Sequence, residues 1–174
     1  MTHFGDRLTE ANRRTATPLC MGIDPHTHMI PAIFGNAQDG AASDAAIRAV
    51  NDFSMACLEQ AIGNVAAIKP QAAFFEQQGP AGMQILQNLG RAAIDAGLLV
   101  IMDAKRGDIG STSTAYAAGW IGHDAPFPSD ALTVNPWLGI DTLAPFLDRA
   151  DATGSGLFIL NRTSNPGAGD LQDQ

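Results

Sequence analysis

Residues 98–108 have the sequence LLVIMDAKRGD. The five apolar residues at its start predict a buried β-strand in a sheet that is covered on both faces. Side chains two positions apart on a strand share a face, so we expect Asp103 and Lys105 to point the same way where the strand ends. Asp108 follows after the chain has left the strand. Because charges removed from water are costly unless they are paired, two acids around one lysine indicate a functional site.

Apolar strands alternate with helices along the whole chain. Helices are predicted over residues 4–14, 43–62, 81–96, 111–122 and 139–150, and strands over residues 19–25, 65–69, 98–103, 131–134 and 156–161. Ser43 is the expected N-cap of the second helix. Residues 26–42 are rich in Gly, Pro, Asn and Asp and are predicted to form a loop. This alternation is typical of a parallel sheet covered by helices.

Polar residues follow the ends of the predicted strands, among them Asp24, Lys69 and Asn135. Barrels and doubly wound sheets both bind ligands at the carboxyl ends of their strands. No G-x-G-x-x-G signature follows the first strand, which favours an α/β fold of the (β/α)8 TIM-barrel type. Such barrels rarely have fewer than about 200 residues. Residues 1–174 are therefore predicted to form a single partial TIM-barrel domain with about five of the eight βα units. The chain is expected to be truncated, to come from an incomplete reading frame or to be completed by a partner.

The composition argues against several classes of protein. With 45% hydrophobic and 16% charged residues, the chain is typical of a globular domain and not of a disordered one. A net charge of -8 with ten basic residues spread along the chain argues against nucleic-acid binding. We find no apolar run near the roughly 20 residues of a membrane helix and no signal peptide, and we expect a cytoplasmic protein. Cys20 and Cys57 are expected to be reduced core residues.

His26 and His28 follow the first strand, where metal-dependent amidohydrolases carry a similar pair of histidines. A metal site needs more ligands than two. The remaining histidines, His3 and His123, lie at no predicted strand end. We therefore predict no metal site.

Residues 103–112, DAKRGDIGST, resemble the signature of orotidine 5'-phosphate decarboxylase, in the branch sometimes called type 2. Further blocks are similar to that branch, in the same order along the chain: FGDRL at 4–8, GIDP at 22–25, KPQ with FFE within 69–76, TVNP at 133–136 and RTSNPG at 162–167. The resemblance covers essentially all 174 residues.

The resemblance implies a cofactor-free carbon–carbon lyase that converts orotidine 5'-phosphate to uridine 5'-phosphate in de novo pyrimidine biosynthesis. It also implies a barrel homodimer with active sites shared across the interface. By position, Lys69, Asp103, Lys105 and Asp108 match the alternating Lys-Asp-Lys-Asp array of the family. In that family the last aspartate reaches the site of the neighbouring subunit.

Three further residues match substrate-binding positions of the family. Asp24 matches an aspartate that contacts the ribose, Thr112 a threonine that contributes across the dimer, and Ser164 a serine that holds the pyrimidine. Each also has a structural interpretation, as a turn residue, a hydroxyl at a helix start and a cap respectively. The phosphate-binding residues of the family lie on late βα loops and have no counterpart here. We therefore expect the isolated chain to be a poor catalyst or inactive.

The chemistry of the array can be argued independently. Loss of CO2 leaves a carbanion at C6 with no adjacent electron sink. A fixed ammonium beside C6 stabilises that charge and can then donate a proton, and Lys105 is the candidate. Asp103 and Asp108 favour the charged form of this lysine in a site that excludes water, and Lys69 keeps Asp103 ionised and oriented.

Two alternatives remain open. One is a relative that acts on sugar phosphates with Mg2+, which shares D-x-K-x-x-D but carries an acidic residue at the position of Lys69. The other is a catalytically silent or partner-dependent fragment of such a barrel.

Overall fold

Five parallel strands form one sheet, and their order in the sheet is their order in the chain. In the computed structural model, which describes residues 2–38 and 42–173, the strands are β1 (Cys20–Ile23), β2 (Ala67–Pro70), β3 (Leu99–Arg106), β4 (Ala131–Val134) and β5 (Gly156–Ile159). A doubly wound sheet reverses its strand order at a switch point, whereas this sheet adds each strand on the same side. The predicted parallel sheet with the strand order of a barrel is confirmed.

Helices connect the strands and cover the sheet. They are α1 (Phe4–Thr15), α2 (Asp44–Ala61), α3 (Ala72–Glu76), α4 (Gly79–Asp95), α5 (Gly110–Trp120), α6 (Ala144–Thr153) and α7 (Gly169–Gln172). The predicted cap of α2 is confirmed, since the Ser43 hydroxyl accepts a hydrogen bond from the Ala46 amide at 3.1 Å. No described helix is both long and apolar enough to cross a membrane.

Several predicted boundaries differ from those of the structure. The short helix α3 was not predicted, and β3 continues three residues beyond the predicted end, to Arg106. The helix predicted over 139–150 begins later, because Ile140–Leu143 form a 3-10 turn before α6. The loop predicted over 26–42 contains a 3-10 turn at Ala32–Phe34, and its residues 39–41 lie outside the described residues.

The three central strands, β2, β3 and β4, bury side chains on both faces of the sheet. On the outer face, residues such as Ile68, Val100 and Leu132 pack beneath the helices in the main core. On the inner face, Ala67, Leu99, Ile101 and Ala131 pack against Phe4, Leu8 and Ala11 of α1. The two sets alternate along the strands with the period of two that strand geometry imposes. Helix α1 therefore lies on the side that would be the interior of a closed barrel.

Asp130 fixes α1 beneath the sheet. Its buried carboxylate accepts hydrogen bonds from Arg7 of α1, from the Val100 amide at 2.8 Å, and contacts His123 Nε2 at 2.8 Å. Arg7 also donates to the Gly154 carbonyl at 3.2 Å. These contacts lie just before β4 and β5 begin, so α1 covers the amino ends of the strands.

The sheet is open between β1 and β5, its two outermost described strands. A cavity of about 380 Å³ on the inner face is lined by Leu19, Cys20, Lys69, Thr133 and Phe158, among others. The core prediction is wrong for Cys20, which is exposed because β1 is an edge strand, whereas Cys57 is half-buried. The assignment of residues 1–174 to a single partial barrel domain stays a prediction.

Candidate active site

Asp103 holds two lysines, one on each carboxylate oxygen. Lys69 Nζ lies 2.8 Å from Asp103 Oδ2, and Lys105 Nζ lies 2.5 Å from Asp103 Oδ1. The Asp103 side chain is 10% exposed, whereas those of Lys69 and Lys105 are 34% and 44% exposed. Lys69 and Lys105 are the two lysines of the entire chain. The structure therefore brings together three of the four predicted array residues.

The register between β2 and β3 explains how Lys69 reaches Asp103. Asp103 pairs with Gln71 in a parallel bridge, and Lys69 lies two residues before Gln71, on the same face of the strand. The offset along the strand is about 6.6 Å, a distance that a lysine side chain spans. Lys69 and Asp103 therefore meet at the carboxyl end of the sheet because of strand pairing and not because of local sequence.

A bulge between β3 and β4 places Lys105. Met102 pairs with Leu132, but the next pair is Arg106 with Val134, so three residues of β3 lie opposite Thr133 alone. Within the bulge, Lys105 has a left-handed backbone with a φ of 47°, a conformation that costs a non-glycine residue about 1–2 kcal/mol. The predicted common direction of Asp103 and Lys105 is confirmed by their contact, although the bulge replaces the regular strand alternation on which that prediction rested.

The surroundings of Asp103 favour its ionised form. Burial raises the pKa of its carboxyl, but hydrogen bonds from Lys105 and Lys69, the positive charge of Lys69 and a hydrogen bond from Thr133 outweigh that effect. The resulting pKa lies below the ordinary value of 3.8. The array is therefore a carboxylate between two ammonium groups. It carries one net positive charge at the carboxyl end of the sheet.

Asp108 lies apart from these three residues. Its carboxylate accepts a hydrogen bond from the Ile109 amide at 2.7 Å, and its carbonyl accepts one from the Ser113 hydroxyl. Within the described residues no ion pair joins it to either lysine. The loop that carries Asp108 packs closely on the end of β4, where a Cβ at Gly107 would lie 2.7 Å from the Asn135 carbonyl oxygen. Asp108 is thus held away from the array of its own chain.

The three predicted substrate-binding residues are exposed and lie on separate βα loops. Asp24 directly follows β1, and its carbonyl accepts a turn hydrogen bond from the His26 amide at 2.7 Å. Thr112 lies in the first turn of α5, and Ser164 lies in the loop after β5. Because all strands are parallel, these loops lie at the same end of the sheet as the array. Their predicted contacts with substrate stay predictions.

Sequence reasoning assigned no role to Thr133 or to Arg106. Thr133 Oγ1 donates to Asp103 Oδ1 at 3.0 Å, and the only signal for it was a polar residue within the apolar strand Ala131–Val134. Arg106 forms an ion pair with Glu76, and its guanidinium lies 4.7 Å from the centre of the Trp120 ring. No local pattern indicates these contacts, because each joins different elements of the fold.

The histidine pair after β1 is packed against an aromatic residue. The His26 and His28 ring centres lie 5.5 Å apart, and His26 lies 4.0 Å from the ring centre of Phe74. Among residues 2–38 and 42–173, no cluster of three or more His, Cys, Asp or Glu side chains has a geometry that suits a metal ion.

Comparison with known proteins gives consistent results. The family model described as "Orotidine 5'-phosphate decarboxylase / HUMPS family" matches residues 17–174. The chain is 44% identical over 99% of its length to an orotidine 5'-phosphate decarboxylase of Rhodopirellula baltica, and 46% identical over 99% to one of Streptomyces coelicolor. It spans 59% of the length of each of these curated relatives.

Solved structures agree with the sequence comparison. A crystal structure described as a putative orotidine 5'-phosphate decarboxylase from Streptomyces avermitilis superposes with a TM-score of 0.88 at 44% identity, over 99% of this chain and 57% of that one. The OMP decarboxylase of Leishmania donovani superposes with a TM-score of 0.75 at 34% identity, over 98% of this chain and 58% of that one. The five strands are therefore part of a TIM barrel, and the chain belongs to the orotidine 5'-phosphate decarboxylase / HUMPS family.

Proposed function

We propose that this chain carries the catalytic array of an enzyme that decarboxylates orotidine 5'-phosphate to uridine 5'-phosphate without a cofactor. The observation that carries the proposal is Asp103 held between the two lysines of the chain, at the carboxyl end of a parallel sheet. Active sites of TIM barrels are built at this end. Relatives at 44% and 46% identity bear the name of this activity.

The charges of the array suit a reaction that creates negative charge at carbon. As the bond between C6 and the carboxylate breaks, its electron pair stays on C6 and CO2 leaves. Lys105, whose ammonium is held by Asp103 at 2.5 Å, stabilises the pair by a field that needs no reorganisation. Lys105 then donates a proton to C6, which yields the product.

Lys69 and Asp103 act on the substrate indirectly, because they set the position and charge of Lys105. Lys69 holds the second oxygen of Asp103 at 2.8 Å, so this carboxylate stays ionised and cannot rotate away from Lys105. Asp24 contacts the ribose and Ser164 the pyrimidine, on loops that lie at the same end of the sheet.

Asp108 and Thr112 serve the active site of a second copy of the chain in a homodimer. The Asp108 carboxylate accepts a hydrogen bond from the Ile109 amide of its own loop and, within the part of the chain that the structure describes, makes no ion pair with Lys69 or Lys105, which suits a residue that completes a neighbouring site. Thr112 is exposed on the first turn of the following helix. This assignment makes the array of each chain incomplete without its partner.

A Mg2+-dependent reaction on sugar phosphates is less well supported. In that branch an acidic residue stands at the position of Lys69, whereas here a lysine binds Asp103. A second ammonium at this position opposes the binding of a metal cation.

The remaining alternative, a silent or partner-dependent fragment, is not favoured by the names of the relatives. The sheet is open between β1 and β5, and the chain spans 59% of the curated relatives. The phosphate-binding loops implied by the family lie in the remaining part. Catalysis therefore requires that part, because phosphate binding supplies the energy that orients the reacting group.

The test measures loss of orotidine 5'-phosphate absorbance with two proteins. One is the 174-residue chain, and the other joins it to the C-terminal part of the Streptomyces coelicolor relative. We expect turnover by the joined protein in the presence of EDTA, little turnover by the chain alone, and none by the joined protein with Lys105→Ala. Arg13→Ala, which removes one positive charge from an exposed site on α1, is the control and should leave turnover unchanged.

Two outcomes would contradict the proposal. A joined protein that unfolds cooperatively but does not turn over substrate would point to the silent fragment. Turnover of a sugar phosphate that is lost with EDTA and restored by Mg2+ would point to the other branch.

A further inference from the structure

Thr133 makes three hydrogen bonds to the bulge that carries the array. Its hydroxyl oxygen accepts from the Ala104 amide at 3.0 Å and from the Lys105 amide at 2.9 Å. It donates to Asp103 Oδ1 at 3.0 Å. A threonine hydroxyl has one proton and two lone pairs, so these three bonds use its entire capacity.

The register makes Thr133 the sole residue of β4 opposite the bulge. Asp103, Ala104 and Lys105 lie between the pairs Met102 with Leu132 and Arg106 with Val134. The backbone of Thr133 is a single position that faces three residues of β3. Its side chain adds an acceptor for the amides of two of them, Ala104 and Lys105. Two successive amides that point at one acceptor are a feature of the left-handed turn at Lys105, where φ is 47°.

The direction of the third bond follows from the other two. Because both lone pairs accept amide protons, the hydroxyl proton is directed to Asp103 Oδ1, the oxygen that also accepts from Lys105 Nζ. Thr133 is 9% exposed and lies on the inner face beneath the array. One side chain thus fixes both the backbone of Lys105 and the carboxylate that holds its ammonium.

We propose that Thr133 is a positioning residue, whose hydroxyl holds the Asp103–Lys105 bulge in the conformation that presents the Lys105 ammonium to the substrate. The expected effect of Thr133 on catalysis rests on the proposed function, whereas its role in holding the bulge does not. Thr133 acts through Lys105 and Asp103.

The first test needs no activity and uses the 174-residue chain. Thr133→Val keeps the shape of the side chain and removes the hydroxyl, and Thr133→Ser keeps the hydroxyl. We expect amide exchange at Ala104 and Lys105 to be slow in the wild type and in Thr133→Ser, and fast in Thr133→Val. In Thr133→Val the Asp103 carboxyl should also titrate at higher pH by 13C NMR. The Lys105 side-chain resonance, one of two lysine signals, should change with it.

Thr142→Val is the matched control. Thr142 is another buried threonine, and its hydroxyl donates to the Gly139 carbonyl at 2.6 Å. We expect this variant to lower the melting temperature while leaving the Asp103 titration and the lysine resonances unchanged. A Thr133→Val protein that loses only melting temperature, like the control, would overturn the positioning role.

Rapid exchange of both amides in the folded wild type would also overturn it, and this measurement stands even if Thr133→Val does not fold. If Thr133→Ser behaves like Thr133→Val, a hydroxyl at this position is not sufficient to hold the bulge, and the inference is refuted.

The second test measures kinetics in the joined protein. We expect Thr133→Val to lower kcat by about 10²-fold with little change in KM, because the ammonium is misplaced while substrate contacts remain. Thr133→Ser should restore most of kcat. If the joined protein with Thr133 intact has no decarboxylase activity, the proposed function fails, while the exchange and titration results still decide the role of Thr133. An equal kcat in the wild type and Thr133→Val would refute the positioning role alone.

Discussion

Lys69 Nζ lies 2.8 Å from Asp103 Oδ2, although the two residues are 34 positions apart in the chain. The parallel pairing of β2 with β3 brings them together, and Lys105 occupies the other oxygen of the same carboxylate. The electrostatic properties of the site therefore depend on Asp103, which keeps two ammonium groups in place.

The first prediction concerns stability and pH. The pKa of Asp103 is lowered in the folded chain, so its ionisation stabilises the fold above the ordinary value of 3.8 and that contribution is lost as pH falls through the folded pKa. We expect Asp103→Asn to lower the free energy of unfolding by about 1 kcal/mol at pH 7, since solvent screens the partly exposed lysines.

Urea unfolding of both proteins between pH 7 and pH 2.5 checks this. The difference between their free energies of unfolding should shrink as pH falls below 3.8. A difference that stays constant from pH 7 to pH 2.5 would contradict the prediction. Asp124→Asn is the control, because Asp124 makes an exposed ion pair with Arg149 on another part of the molecule. Asp124→Asn should lower the free energy of unfolding at pH 7 by less than Asp103→Asn does.

The second prediction separates charge from proton donation at Lys105. Lys105→Arg keeps a positive charge beside Asp103, but a guanidinium does not release a proton near neutral pH. We expect kcat of the joined protein to fall by about 10²–10³-fold, while the lowered pKa of Asp103 is largely retained. Steady-state kinetics and the 13C titration of Asp103 give the two readouts. Arg13→Lys, the reverse exchange at an exposed site, is the control and should change neither kcat nor the titration of Asp103. A Lys105→Arg protein with normal kcat would rule out proton donation by Lys105.

The third prediction tests whether active sites are shared between two copies of the chain. In the joined protein, Lys105→Ala and Asp108→Ala should each abolish turnover. When equal amounts are unfolded together and refolded, half of the dimers are mixed, and one of their two sites has both residues intact. We therefore expect about a quarter of wild-type activity from the mixture, given random pairing in a two-fold symmetric dimer. A mixture as inactive as its components would show that Asp108 serves its own chain.

The fourth prediction concerns the helix on the inner face. Arg7 of α1 binds the buried carboxylate of Asp130 and the Gly154 carbonyl. Arg7→Met retains most of the apolar stem but leaves that carboxylate without its cation, and we expect a loss of about 2 kcal/mol in the free energy of unfolding. Urea unfolding measures it, with Arg13→Met on the same helix as the control, because the Arg13 side chain is 76% exposed. Equal losses in the two variants would contradict the role of the Arg7–Asp130 pair.

Local patterns were sufficient for most of the secondary structure. The apolar strand Ala131–Val134 was predicted with its observed bounds, and Ser43 was correctly predicted to cap α2. Such signals involve residues within one turn of a helix or one strand, so neighbouring residues are enough to show them. The parallel sheet followed from the alternation of these elements. Asp103 and Lys105 were singled out because charged residues in an apolar setting are unusual, whereas Lys69 was assigned to the array by the family resemblance.

The tertiary structure alone decided how those residues are arranged. The left-handed backbone of Lys105 and the bulge opposite Thr133 depend on how β3 pairs with β4, and the position of α1 depends on a contact between Arg7 and Asp130, 123 positions apart. The sequence by itself determined the five strands, most of the helices and the charged residues at the end of β3. Their distances and partners depend on strand register and long-range packing, because those contacts join residues whose local sequences contain no information about each other.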